Sequence, residues 1–393
     1  MAYEPRIEMG VDQFTVTFFS PLIEKMQADP DNKQLNSAFW NWHVNHVVMD
    51  VLKKTMLEDV FGEKIEIMKF GITQGYDSGY TLPNYDIAIC WHSVFAYWKM
   101  GVSLRFHAKA WHTFCENYET KYGMPMDIVS FMRLISDNLV YYSRFSRIDF
   151  TADFFNYADS SPDDIHTALS RGMILALNRD GNKPFRTKRA IETNGVHQTL
   201  ELGSKKSPVF AVIYDKKEES ISCHGYRYED ALRCKSWLRL EVRFHDTLAH
   251  QISKDIKNMD INDLKPYLAQ RIVERYAFYI NNVKREPIAI TEDLLDIASG
   301  SDYGALSSPS PRDSDLLRSR DYLTSTSGLF SWLFKIRMTY DDVPDADRIA
   351  MDYLFDIYQL CYLPDAFQNY ELKKWLSLHR TESRKRTLNE LLT

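Results

Sequence analysis

No run in this chain approaches the roughly 18 apolar residues that cross a bilayer. The N-terminal Met1-Ala-Tyr-Glu-Pro-Arg6 has no apolar signal core. The expectation is a cytoplasmic protein without membrane contact. Paired cysteines are lacking too: Cys90, Cys115, Cys223, Cys234 and Cys361 form no Cys-x-x-Cys, and an odd, scattered set fits reduced thiols better than a disulfide frame or a zinc site. Basic excess is also missing, since 48 Lys and Arg against 54 Asp and Glu leave a net charge of -6. Composition therefore argues against a uniformly basic nucleic-acid binder, but binding depends on where charge sits. Between Arg179 and Arg243 there are 14 Lys and Arg against nine Asp and Glu, a local excess of five positive charges.

What is present is ordinary for a globular chain: 393 residues, 45% hydrophobic and 26% charged, long enough for one large domain or two. Alternating, β-branched runs at about 13–20, 66–71, 85–91, 101–107, 145–153, 197–203, 208–216 and 236–245 predict strands. Helical patterns cover 36–61, 124–139 and 161–177, the last opening with Ser161-Pro-Asp-Asp164, an N-cap followed by proline and acids near the positive helix end. Several strands follow one another without a crossover helix. The expected fold class is therefore α+β, with mainly antiparallel sheet and flanking helices, followed by a helical C-terminal module. The first and second halves loosely echo each other, as in a duplicated architecture. The expected domains are 1–285, a partly flexible linker at 286–314 rich in Ser, Gly and Pro, and the helical module at 315–393. That module ends in His379-Arg380 and Arg384-Lys-Arg386, which the commoner reading makes a solvated helix face.

Three segments could carry chemistry. In Arg147-Ile-Asp-Phe-Thr-Ala-Asp153, a strand puts Arg147, Asp149, Thr151 and Asp153 on one face and Ile148, Phe150 and Ala152 on the other. In Leu238-Arg-Leu-Glu-Val-Arg-Phe244, Arg239, Glu241 and Arg243 share one face. Side by side, these strands make either a cross-strand salt-bridge lattice or a carboxylate site for a hard cation such as Mg²⁺ or Mn²⁺. The third segment is a turn, Gly203-Ser204-Lys205-Lys206-Ser207, whose amides, hydroxyls and ammonium groups suit phosphate. A strand follows, with Tyr214 and Lys216 expected on one face. A phenol with an ordinary pKa near 10 needs a neighbouring basic or cationic group to act as a nucleophile.

Together, in this order, the three segments resemble the Rep_trans family of plasmid rolling-circle replication initiators and related mobile-element relaxases. The family pattern is an Arg-x-Asp-x-Ala-x-Asp strand, a Gly-Ser-Arg-x-Ser turn running into Arg-x-Tyr-x-Lys, and an Arg-x-Glu strand. Met100-Gly-Val-Ser-Leu-Arg-Phe-His107 resembles a further family segment, and the likeness covers about residues 10–250. Thr151 replaces the usual Ala, Val212 an Arg, and Lys205 an Arg whose bidentate fork is lost.

The resemblance implies Tyr214 as the nucleophile with Lys216 beside it, and Asp149, Asp153 and Glu241 as ligands of Mg²⁺ or Mn²⁺. Arg147, Ser204, Lys205, Lys206, Ser207 and Arg239 are the expected phosphate contacts. It implies metal-dependent nicking and rejoining of DNA through a 5′-phosphotyrosine, on a double-stranded origin with one strand exposed, by a homodimer working with a host helicase. The alternatives are a relaxase for conjugative transfer and a non-cleaving origin or regulatory DNA-binding protein. The chain has no His-x-His metal motif; His43, His46, His245 and His250 read as structural or surface residues.

Overall fold

The computed structural model describes residues 4–26, 33–69, 75–301, 303–306 and 328–367, apart from 159, 179–180, 186–187 and 194, together with isolated positions elsewhere in the C-terminal stretch. The chain forms two compact units, 1–306 and 307–393. The second is helical where described, with helices Leu329–Thr339, Ala346–Ile357 and Leu363–Ala366.

The first unit is built on an antiparallel sheet with ten strands among the described residues. In chain order the strands are β1 (Arg6–Phe19), β2 (Glu66–Ile67), β3 (Ser78–Thr81), β4 (Ile87–Trp91), β5 (Val102–Phe106), β6 (Tyr142–Phe155), β7 (Ile174–Leu177), β8 (Lys188–Thr193), β9 (Val196–Leu202), β10 (Val209–Asp215), β11 (Trp237–His245) and β12 (Ala277–Ile280). Their order across the main sheet is β2-β3-β4-β5-β1-β6-β11-β10-β9-β8, while β7 pairs with β12 separately. The main sheet reads as the same unit twice. A long strand (β1, then β6) leads through helix to a four-strand meander, whose last strand (β5, then β11) returns to pair with the long one. The halves join where β1 and β6 pair.

Alternation places Phe14, Val16 and Phe18 of β1, Ile148, Phe150 and Ala152 of β6, and Leu240, Val242 and Phe244 of β11 in one core. Phe14 lies at its centre, with ring centroids 5.2 Å from Phe106, 4.9 Å from Trp111, 5.3 Å from Phe131 and 5.9 Å from Phe145. Gly101 precedes β5 with φ of +69°, and a Cβ there would stand 2.6 Å from the Phe18 carbonyl oxygen. That is a steric reason for glycine after Met100.

Several elements differ from the sequence reading. The helix expected at 36–61 is two, Lys33–Thr55 and Leu57–Phe61, separated by Met56 in a left-handed conformation. The one expected at 124–139 is confined to Ile128–Leu134. The one expected at 161–177 stops at Ser170 and is followed by β7. Its start is as expected: the Ser161 hydroxyl accepts from the Asp164 amide, and the Asp164 carboxylate accepts from the Ser161 amide. Strands β3, β7, β8 and β12 lie outside the expected runs. Within the expected linker, residues 289–298 form a helix whose Ile290 and Leu294 are buried in the first unit. Residues 307–314 of that linker, and the C-terminal basic cluster apart from Arg380, lie outside the described residues.

Replacing Phe14 with Ala empties the centre of this aromatic cluster. Urea unfolding of Phe14→Ala should show a loss of about 3–5 kcal/mol.

Candidate active site

The face of the sheet opposite the aromatic core is polar, yet it too is covered. Asp149 and Arg239 are each 1% exposed, and Asp153 and Glu241 4%. Register brings the charges together: Arg239 pairs across from Asp153, Arg243 from Asp149, and Tyr214 from Arg239. On the other side of β6, β1 carries an extra residue between Val11 and Phe14, opposite the stretch from Phe150 to Ile148. A bulge of this kind re-aims a side chain. Here Asp12 becomes a buried acid between Val11 and Gln13.

Each buried acid has a cationic partner. Asp153 receives two hydrogen bonds from Arg239, at 2.7 and 2.8 Å, and one from Arg227 at 3.4 Å. Asp12 accepts from the same Arg239 at 2.6 Å. Asp149 receives both Nε and a terminal nitrogen of Arg147, at 2.9 and 2.6 Å. Glu241 accepts from Arg243 through Oε1 at 2.6 Å. The cross-strand lattice is therefore the arrangement observed.

Glu241 is the acid that also reaches Tyr214. Its Oε2 is 3.4 Å from the tyrosine hydroxyl, which donates to it. Burial and the like charges of Asp12 and Asp149 push the Glu241 carboxyl up to about 7, against the pull of Arg243. Burial also raises the Tyr214 phenol well above its ordinary value, opposed by Arg239 and reinforced by Glu241 and Asp12. At neutral pH the pair is thus a neutral phenol against a carboxyl poised to accept a proton. Lys216 lies beside them, its Nζ 5.8 Å from the Tyr214 ring centroid and 5.9 Å from that of Tyr226. Lys216 also donates to Glu219 at 2.6 Å.

The expected site residues are thus brought together only in part. Tyr214, Lys216 and Glu241 are neighbours, although Lys216 opens the helix Lys216–Ser222 rather than continuing the strand. Asp149 and Asp153 do not join Glu241 as free ligands, because both of their carboxylates are held by arginines. Among the described residues no group of three or more acids, histidines or cysteines is placed to hold a metal ion. The expected trio does not fit Mg²⁺ or Mn²⁺ as arranged here.

Arg239, expected to meet phosphate, is a buried strut between Asp12 and Asp153. Arg147, partly exposed, is engaged with Asp149. The Ser204–Ser207 turn is well formed, its Ser207 amide bonding the Ser204 carbonyl at 2.9 Å. It sits at the other end of β10 from Tyr214, roughly 20 Å away at the ordinary strand rise. Lys205 there pairs with Glu201 at 2.7 Å, and Lys206 is exposed. The turn cannot share one phosphate with Tyr214.

Sequence reasoning missed Asp12, His112, Glu219, Tyr226 and Arg227. Arg227 ties Asp153 to Glu8, at 2.8 Å, and lies 4.5 Å over the Trp237 ring. The one available signal is Asp12 itself, an acid just before the apolar alternation of Phe14, Val16 and Phe18.

Residues 143–289 match the pattern of a family described as replication initiation factor, Rep_trans. Over this segment the chain is similar to that family. It runs from β6 to the start of helix Ala289–Ala298 and contains Asp149, Asp153, Tyr214, Lys216, Arg239 and Glu241, but neither Asp12 nor His112. No curated protein matches the chain. Among solved structures, the rolling circle replication initiator protein from Geobacillus stearothermophilus is similar, with 16% identity and a TM-score of 0.48 over 74% of this chain and 97% of that one. No helix among the described residues is long and apolar enough to cross a membrane.

Asp153→Ala would leave Arg239 and Arg227 short of a buried counter-charge. It should cost about 3–5 kcal/mol in urea unfolding, whereas Lys205→Ala, which removes an exposed ion pair, should cost no more than about 1 kcal/mol.

Proposed function

We propose that this chain nicks one strand of a DNA replication origin and can rejoin it, with Tyr214 as the nucleophile and Glu241 as its proton acceptor. The observation that carries this reading is the contact of the Tyr214 hydroxyl with Glu241, a carboxyl raised by its surroundings into the range of a working base. The Tyr214 oxygen attacks the scissile phosphorus as its proton passes to Glu241. The bond from phosphorus to the 3′ oxygen breaks, and that oxygen leaves as a hydroxyl by taking a proton from solvent water, which it gives back to solvent when the ends rejoin. The 5′ phosphate stays on Tyr214. One phosphodiester replaces another, so the step is reversible, and the proton on Glu241 can return to the phenol when the ends rejoin.

Lys216 supports attack by offering positive charge next to the ring. No step runs through a divalent cation, because Asp149 and Asp153 are committed to arginines. The same chemistry would serve conjugative transfer; the match to replication initiation factors favours replication. A homodimer and a host helicase complete the proposal by family resemblance.

The test is a supercoiled plasmid bearing the cognate origin, incubated with and without Mg²⁺ or Mn²⁺ and resolved on a denaturing gel. Wild type should give a protein–DNA adduct. An adduct of equal yield in Tyr214→Phe would sink the assignment.

Glu241→Gln should slow adduct formation about 10²–10⁴-fold. In wild type the single-turnover rate should rise with pH through about 7, as Glu241 loses its proton. Stability should move the other way. A carboxyl raised from 4.5 to about 7 by folding contributes stability that is complete below 4.5 and lost as pH rises through 7. A pH–rate profile unchanged by Glu241→Gln would exclude it as the base.

A further inference from the structure

Tyr226 stands out among the site's neighbours. Its hydroxyl oxygen is shielded from solvent and makes no well-formed hydrogen bond. After burial, the strongest influence on it is the Arg239 guanidinium, which bears on the phenolic oxygen only as a charge and a donor, so the phenolic proton has no acceptor. Leaving a buried donor unmet is costly, and native proteins seldom do so without a use for it. The ring is not loose: it stacks on His112 with centroids 4.6 Å apart and an interplanar angle of 26°. Burial lowers the His112 imidazole to about 4, so the stacked ring stays neutral at neutral pH.

The ammonium of Lys216 lies at nearly equal distance from the Tyr226 and Tyr214 rings. One cation thus lies beside both the ring that carries the unmet donor and the ring of the nucleophile. The Lys216 charge is met by Glu219, one turn along the same helix, whose side chain is 45% exposed and therefore free to swing into solvent. Glu219 supplies an anionic oxygen where a ligand's anionic oxygen would otherwise go.

We propose that the Tyr226 hydroxyl and the Lys216 ammonium form a seat for a phosphate oxygen of the DNA strand, and that Glu219 occupies the cationic half of that seat until DNA displaces it. The choice of ligand rests on the nicking function proposed above; the geometry of the seat does not. Tyr226 is a positioning residue here, holding the phosphate that Tyr214 attacks. The Lys216 charge changes partner from Glu219 to phosphate, and no bond forms or breaks.

The test uses the full chain and calorimetric titration with thymidine 5′-monophosphate, with thymidine as the phosphate-free control. Wild type should bind the nucleotide more tightly than the nucleoside. Tyr226→Phe should weaken nucleotide binding roughly ten- to hundredfold, the range of one hydrogen bond to a charged partner. Glu219→Gln, which removes the competing charge, should tighten it. Thermal melting supplies the readout that a structural role would move in the opposite direction: removing an unpartnered hydroxyl should leave the Tyr226→Phe midpoint unchanged or higher. The proposal is overturned if Tyr226→Phe melts lower, since the hydroxyl then has a partner in the protein. It is equally overturned if Tyr226→Phe binds the nucleotide as wild type does, or if wild type prefers it no more than thymidine. Failure of the nicking function reads out separately, as a missing Tyr214 adduct on the plasmid while nucleotide binding follows the expected pattern.

Discussion

The site depends on one buried guanidinium. Arg239 is almost wholly removed from water and is held by Asp153 on β6 and Asp12 on β1. An isolated charge so placed would cost several kcal/mol, and the cost is offset only when close, well-directed partners meet its donors. Three strands supply the parts, so the pairing also fixes their mutual positions near the centre of the sheet. The same cation lies across from Tyr214 and opposes the rise of its phenol. One interaction thereby links the integrity of the sheet to the electrostatics of the candidate nucleophile.

Around that strut the acids have unequal freedom. Asp149 and Asp153 each spend both oxygens on an arginine. Glu241 spends one and turns the other toward Tyr214. This difference, and not the mere presence of carboxylates, separates the acid able to take a proton from those that hold the sheet together. Burial and like-charge repulsion then set its proton affinity near neutrality.

The duplicated sheet explains where the site sits. Each half ends by pairing its last strand with its first, and the halves meet at β1 and β6. Chemistry-bearing residues on β6, β10 and β11 come from the second half. The first half contributes Asp12 through its bulge and His112 through the helix Ala108–Tyr122. The family match begins at residue 143 and covers only the second half's share. Asp12 and His112, lent by the first half, lie outside that match.

Much of this could be read along the chain. Alternation in Arg147–Asp153 and Leu238–Phe244 determines one charged and one apolar face, because successive side chains of a strand point to opposite sides. The order of the three motifs determined the family resemblance, and Ser161 with Asp164 determined a helix start through local hydrogen bonds. Only the tertiary structure decided which acid is free. Arg239 and Asp12 are 227 positions apart, and the bulge that joins them depends on strand register, which no local pattern encodes. It also decided that the Gly203 turn lies at the far end of β10 and that Lys216 opens a helix. Alternation gives the face a side chain occupies; the partner that waits on that face is set by the strands brought alongside.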